Sequence, residues 1–251
     1  MKTVQSIERA FAILDAVTTR RLALSEISEQ VSLPKSTVSR ILHTLETVGA
    51  VTRDPANGAY GVGVKLRSMS RSAATMANLA LNARPYLAML AREIGEDAGV
   101  GAADHSQVRF IAQENADNTI QVSDWTGAMI PMHLVPAGLV ILANWPPTKV
   151  DRALEGPLEP ATRKSVADRA AIRERLVAIR EDGYCWVFGE FSEELNSVAA
   201  PVFGPTGVIG AISVHGPAFR FPNPGSEERI GRRICEVADL LSATYRVIGE
   251  D

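Results

Sequence analysis

Two cysteines, Cys185 and Cys235, are all this chain has, and they stand far apart. They are too few for a disulfide framework and have no metal-ligand spacing, so the expected setting is a reducing cytoplasm and no metal is expected. No apolar run approaches the roughly 18 residues of a membrane span. Met1 to Arg9 lacks the apolar core of a signal peptide. Gly-x-Ser-x-Gly, a phosphate-cradling glycine loop and a closely spaced Cys/His pair are also missing, so neither an enzyme nor a cofactor is expected. There is no internal repeat and no low-complexity tract. What remains is a chain of 251 residues, 46% apolar and 22% charged, enough for one large or two ordinary globular domains.

Positive charge is scarce overall, with a net charge of −3, but it is unevenly spread. Residues 1–72 carry a net +4 and the remainder −7. That split suits a nucleic-acid module joined to a part that stays off nucleic acid.

The most informative stretch is Ser25 to Tyr60. Leu33 precedes a proline and is pushed out of the α region. Pro34 suits a first helical position, where its missing N–H costs nothing. Val38, Ile41, Leu42, Leu45 and Val48 then form the stripe of a half-buried helix, and Gly49 is placed to close it. The opposite face carries Lys35, Ser36, Thr37, Ser39, Arg40 and His43, groups that meet phosphates and base edges. Ser25 is expected to N-cap a shorter helix, Glu26 to Gln30. Short helix, tight turn and longer polar-faced helix make a helix-turn-helix. Two β-type runs then flank Asp54-Pro55-Ala56-Asn57-Gly58, a hairpin placed as a wing, with Arg53 set to reach a phosphate. The alternative is a set of elements that only pack on one another. The order of all four parts favours DNA.

Around this stretch, Val4, Ile7, Phe11, Leu14 and Val17 mark a first helix expected to complete the small core. Lys65 to Leu81 reads as a linker helix, with Leu66, Met69, Ala73 and Met76 on one face, either paired with a second copy or packed on its own domain. A separate helix is expected from Arg84 to Ile94. Strands are expected at 99–103, 108–113, 119–123, 184–188, 195–203 and 207–215. Helices are expected at 136–145, 168–181 and 224–249, and a turn and strand at 127–133. This describes an α+β domain, an antiparallel sheet with helices at its ends and on one side.

Several segments in this order resemble the IclR-type bacterial transcriptional regulators. They are Leu24-Ser25-Glu26-Ile27, the run Leu33 to Leu45, Asp54-Pro55, Tyr60, Ala83-Arg84-Pro85, Pro131-Met132-His133, Arg180 to Tyr184, Ala199 to Phe203 and Gly216-Pro217. The resemblance implies a winged helix-turn-helix over 1–64, a linker helix over 65–81 and a GAF-like effector domain with an antiparallel sheet over 82–251. It implies dimers that pair into tetramers on double-stranded promoter DNA, and a small organic effector. Carried over position by position, the effector site comprises Met129, Pro136, Ala137, Gly138, Val187, Leu195, Ser197, Ser213 and His215. The DNA-facing set comprises Ser25, Pro34, Lys35, Ser36, Thr37, Ser39, Arg40, His43 and Arg53. The chain departs from the family's pattern at Leu139, where a lysine is common, at Glu194, where a glycine is common, and at Val187, a polar or acidic strand position. These changes favour an aromatic or largely apolar acid over a sugar acid. A constitutive DNA-binding protein with a non-responsive sensor domain is the competing expectation, and a small-molecule hydrolase with a vestigial DNA module is a more distant one.

Overall fold

A computed structural model describes residues 4–119 and 123–246, apart from the side chains of 70–74 and 246. The chain divides into two units, Met1–Ala74 and Thr75–Asp251. None of the described helices is long and apolar enough to cross a membrane.

The first unit contains helices α1 (Gln5–Ala16), α2 (Leu24–Gln30) and α3 (Lys35–Thr47), and a hairpin of β1 (Val51–Arg53) and β2 (Tyr60–Val62). Its core is Ile13, Ala16, Val17, Leu22, Ile27, Val38, Leu42 and Val51. Of the stripe that periodicity predicts on α3, Val38 and Leu42 are fully buried, Ile41 and Leu45 pack against this core, and Val48 is exposed. At α1 the expected buried face holds for Val17 and for Leu14, which packs against the core, and is corrected over the first turns. Val4, Ile7 and Phe11 are exposed, Phe11 by 62%, while Ile13 and Ala16 are buried. The helix carries two apolar stripes, and only contact with α2 and α3 decides between them.

The cap expected of Ser25 is also corrected. The helix begins a residue earlier than Ser25, at Leu24, and the Glu26 carboxylate reaches back to accept from the Ala23 N–H at 2.7 Å. Between α2 and α3, Ser32 takes φ +51°, and the Ser28 hydroxyl donates to the Leu33 carbonyl at 2.6 Å. Gly49 follows α3 with φ +75°, the left-handed position that a side chain would strain.

One helix, α4 (Val64–Ile94), crosses the division and replaces the two helices expected there. Pro85 lies inside it and cannot donate to the carbonyl of Leu81. Leu81 is 67% exposed, so water can reach that carbonyl and the helix continues.

The second unit is built on a six-stranded antiparallel sheet. Its strands are β3 (Asp97–Asp104), β4 (Gln107–Glu114), β5 (Met129–Pro131), β6 (Cys185–Phe188), β7 (Leu195–Gly204) and β8 (Gly207–Pro217), in the order β5-β4-β3-β8-β7-β6. Helices cover both faces, where the sequence suggested one side. The later turns of α4 and the terminal α8 (Glu227–Arg246) pack on Val100, Val198, Ala200, Ile212 and Val214. On the other face lie α5 (Pro136–Ala143), α6 (Pro147–Ala153) and α7 (Arg169–Asp182), against Phe110, Val187, Ala199 and Ala211. Strand residues alternate between two apolar cores, so neither face is left for water.

Helix α6 starts at Pro147, in a stretch where the sequence suggested no helix. The expected strand at 119–123 lies mostly outside the described residues, as does the end of the expected 224–249 helix.

Candidate functional site

Two places concentrate chemistry, one in each unit. In the first unit, Val38 and Leu42 anchor α3 and turn the opposite face outward. Pro34, Lys35, Ser36, Ser39, Arg40 and His43 are exposed, and Thr37 is half-buried. Ser25, on the second position of α2, is also half-buried. No side chain caps α3, and the Thr37 and Val38 N–H groups donate back to the Pro34 carbonyl. The first two amides of the helix therefore point outward with the positive end of its dipole, beside Lys35. The described ion pairs include neither Lys35 nor Arg40. Such an arrangement is chemically suited to accept an anion such as a phosphate. Arg53 is exposed on the wing. Its guanidinium leans on the Tyr60 ring, 5.7 Å from the centroid, and its Nε donates to the Gly58 carbonyl at 3.4 Å.

In the second unit a cavity of about 30 Å³ lies between the sheet and the start of α5. Ser197 of β7 and Ser213 and His215 of β8 form its floor, since Ser197 pairs with His215 in register and alternate residues share a face. Leu195, Pro136 and Ala137 bound it, with Val135, Phe110 and Ile130. Trp125, from the β4–β5 connection, and Phe191, from the β6–β7 connection, close it, their rings edge to face at 5.2 Å. The Trp125 backbone N–H is anchored to the Gln113 side chain at 3.1 Å.

Polar groups around the cavity are few. The Ser213 hydroxyl donates to the Gly99 carbonyl at 3.2 Å. Pro136 has no N–H, and the amides of Gly138 and Leu139 donate to the Val135 carbonyl. Ala137 is therefore the first-turn donor with no acceptor inside the turn. Burial pushes the His215 imidazole down to about 4, so it is neutral at physiological pH. Trp125 Nε1 and His215 Nε2 are buried without a hydrogen-bond partner among the described residues.

The structure thus gathers Pro136, Ala137, Leu195, Ser197, Ser213 and His215 around one space. Three residues expected there do not line it. Met129 is 39% exposed on the edge strand, where its sulfur accepts from Arg109 at 3.1 Å. Val187, directly across from Ser197 on β6, is buried in the core that adjoins the cavity. Gly138 faces the 3₁₀ turn Met132–Leu134: a Cβ there would lie 2.2 Å from the Met132 carbonyl oxygen. Sequence reasoning missed Phe110, Ile130, Val135, Trp125 and Phe191 as lining residues. Phe110 shares the strand parity of Val108 and could have been found, whereas Trp125 and Phe191 sit in connections without any period.

Outside the cavity, Cys185 is unsuited to nucleophilic chemistry, because burial pushes its thiol up to about 12.

Two family models match this chain: IclR helix-turn-helix domain over residues 6–55, and Bacterial transcriptional regulator IclR C-terminal over residues 71–243. The chain is 32% identical to the HTH-type transcriptional regulator Rv1719 of Mycobacterium tuberculosis, over 87% of this chain and 84% of the relative. It is also 32% identical to the Glycerol operon regulatory protein of Streptomyces griseus, over 99% and 98% of the two. Among solved structures, an IclR homolog from Microbacterium hydrocarbonoxydans complexed with 4-hydroxybenzoate shares the fold with a TM-score of 0.64. It is 21% identical, over 97% of this chain and 100% of that one.

Proposed function

Because this chain belongs to the IclR family of bacterial transcriptional regulators and carries the family's helix-turn-helix, we propose that a small, largely apolar organic acid sets its promoter binding from the cavity of the second unit. In this reading 1–64 hold the DNA, 65–81 connect, 82–251 sense the effector, and the protein works in the cytoplasm. The observation that carries it is the cavity itself, walled by aromatic rings and met by the start of α5. A ring suits those walls, and a carboxylate suits the Ala137 N–H at the positive end of the α5 dipole. A structural neighbour holds an aromatic acid, 4-hydroxybenzoate.

The test is a thermal-shift screen over aromatic and aliphatic acids, with glycerol as a polar comparison, followed by operator binding with and without each hit. An effector at about 100 times its Kd adds about 2.7 kcal/mol of stability. A folded protein that binds its operator but responds to no acid would favour the non-responsive reading.

On the DNA side, Lys35, Ser36 and Thr37 would hold phosphates, while Ser39, Arg40 and His43 face base edges and Arg53 supports them from the wing. Ser25 and Pro34 would flank the same backbone. The protein would act as a homodimer or a dimer of dimers, which the exposed Val4, Ile7 and Phe11 stripe of α1 supports. Replacing Lys35 with alanine is expected to weaken binding on every sequence and to flatten the slope of log K against log salt by about 0.9. Fluorescence-anisotropy titrations at several salt concentrations read that slope. An unchanged slope would remove the Lys35–phosphate contact.

A further inference from the structure

We infer that the cavity selects an aromatic acid bearing a ring hydroxyl, and that the hydroxyl sits between Nε1–H of Trp125 and Nε2 of His215; the inference rests on the cavity being the effector site. Both atoms are buried and without a partner among the described residues, and both side chains border the cavity. His215 itself is only 5% exposed. Buried polar atoms in native proteins are nearly always hydrogen-bonded. Two orphans on side chains that line one space therefore point to a single group that completes them.

The chemistry of the two atoms is complementary. An indole N–H donates and never accepts, while a neutral imidazole keeps one bare nitrogen that accepts. The rings meet nearly at right angles, 79°, with centroids 6.5 Å apart. A hydroxyl can accept from Trp125 and donate to His215 at the same time. A ketone or ether oxygen would serve Trp125 alone, and an ammonium would serve His215 alone. With the imidazole proton on Nδ1, as the inference requires, Nε2 is the bare nitrogen and a carboxylate at this end would have no proton to give it.

The carboxylate belongs at the other end, with the Ala137 N–H, and the ring between them lies against Phe110 and Phe191. Among the described residues no lysine or arginine lines the cavity, so the polar ends must be read by hydrogen bonds. A space of about 30 Å³ is smaller than a substituted ring, so binding moves the Phe191 side chain aside while the Gln113 contact holds Trp125 in place. This assigns Trp125 and His215 as the residues that set specificity.

The experiment is calorimetric titration of the full chain with benzoate, 3-hydroxybenzoate and 4-hydroxybenzoate. It is run on the wild type, Trp125→Phe and His215→Leu, each checked for a cooperative melt. In the wild type the better hydroxybenzoate is expected to bind about 10-fold or more tightly than benzoate. In either variant that ratio should fall to within about twofold, and a ratio is insensitive to a general loosening of the pocket. Benzoate binding as tightly as both hydroxybenzoates in the wild type overturns the hydroxyl assignment and leaves the effector site standing. So does a preference that survives in both variants. Failure of all three acids to bind overturns the inference, and a silent screen of other acids would then remove the effector reading as well.

Discussion

Substituting alanine for Gly138 is expected to destabilise the C-terminal unit by about 3 kcal/mol or more, the upper range for overpacking a close-packed interior. An added Cβ would stand 2.2 Å from the Met132 carbonyl oxygen, 2.4 Å from its Cα and 2.6 Å from its carbonyl carbon. All three are backbone atoms, so no rotamer change relieves the contact. Either α5 or the 3₁₀ turn must move. Every residue of α5 is buried, so the displacement reaches the sheet and the mouth of the cavity. All three tryptophans, Trp125, Trp145 and Trp186, lie in this unit. Urea unfolding followed by tryptophan fluorescence therefore reads it selectively. An unchanged midpoint would mean that the turn yields cheaply and that the glycine has another role.

The second large effect is on acid stability. His215 titrates near 6.5 when exposed and is pushed down to about 4 by burial in the fold. Between those values the unfolded chain binds a proton that the folded chain refuses. Stability is therefore full above pH about 6.5 and declines as the pH falls towards 4, by roughly 3 kcal/mol in all. Asp97 stands directly across from His215 on β3, but its carboxylate accepts the Ala116 N–H at 2.8 Å, and desolvation dominates the imidazole. His133, also lowered chiefly by burial, works in the same direction. Carboxylates held down by hydrogen bonds, such as Asp104 beside Arg109 and Asp124 beside Thr126, lose their contribution only as the pH falls through and below the usual carboxylate range. The window from pH 6.5 to about 4.5 thus belongs to buried histidine. Unfolding midpoints of the wild type and His215→Leu across that window should diverge, with a flatter line for the variant. Parallel lines would show that His215 has water or a partner in solution.

The apolar stripe of α1 shows where sequence reasoning stops. Phe11 and Ile13 are both large and apolar, and a helical period accommodates either one as the core residue. The choice rests on what α2 and α3 present, and it leaves Phe11 outside. Pro85 shows the same limit. A proline usually ends a helix, yet here the carbonyl it deprives belongs to an exposed residue, and the helix runs on.

Local order along the chain was enough to predict the helix-turn-helix. Pro34, the Val38–Leu42 stripe, Gly49 and the Asp54–Gly58 turn act through contacts three to five residues long, which a linear reading contains. The antiparallel sheet and α7, with Ile172, Leu176 and Ile179 buried, were legible for the same reason. The resemblance carried over Ser213 and His215, whose two-residue spacing puts both on one side of a strand. Only the tertiary structure brought Trp125 and Phe191 over them, left an unpartnered buried nitrogen on each of two side chains that line the same space, and pressed Gly138 against Met132. Those contacts join residues from separate connections and strands, and their geometry is set by how layers pack, which no periodicity along the chain records.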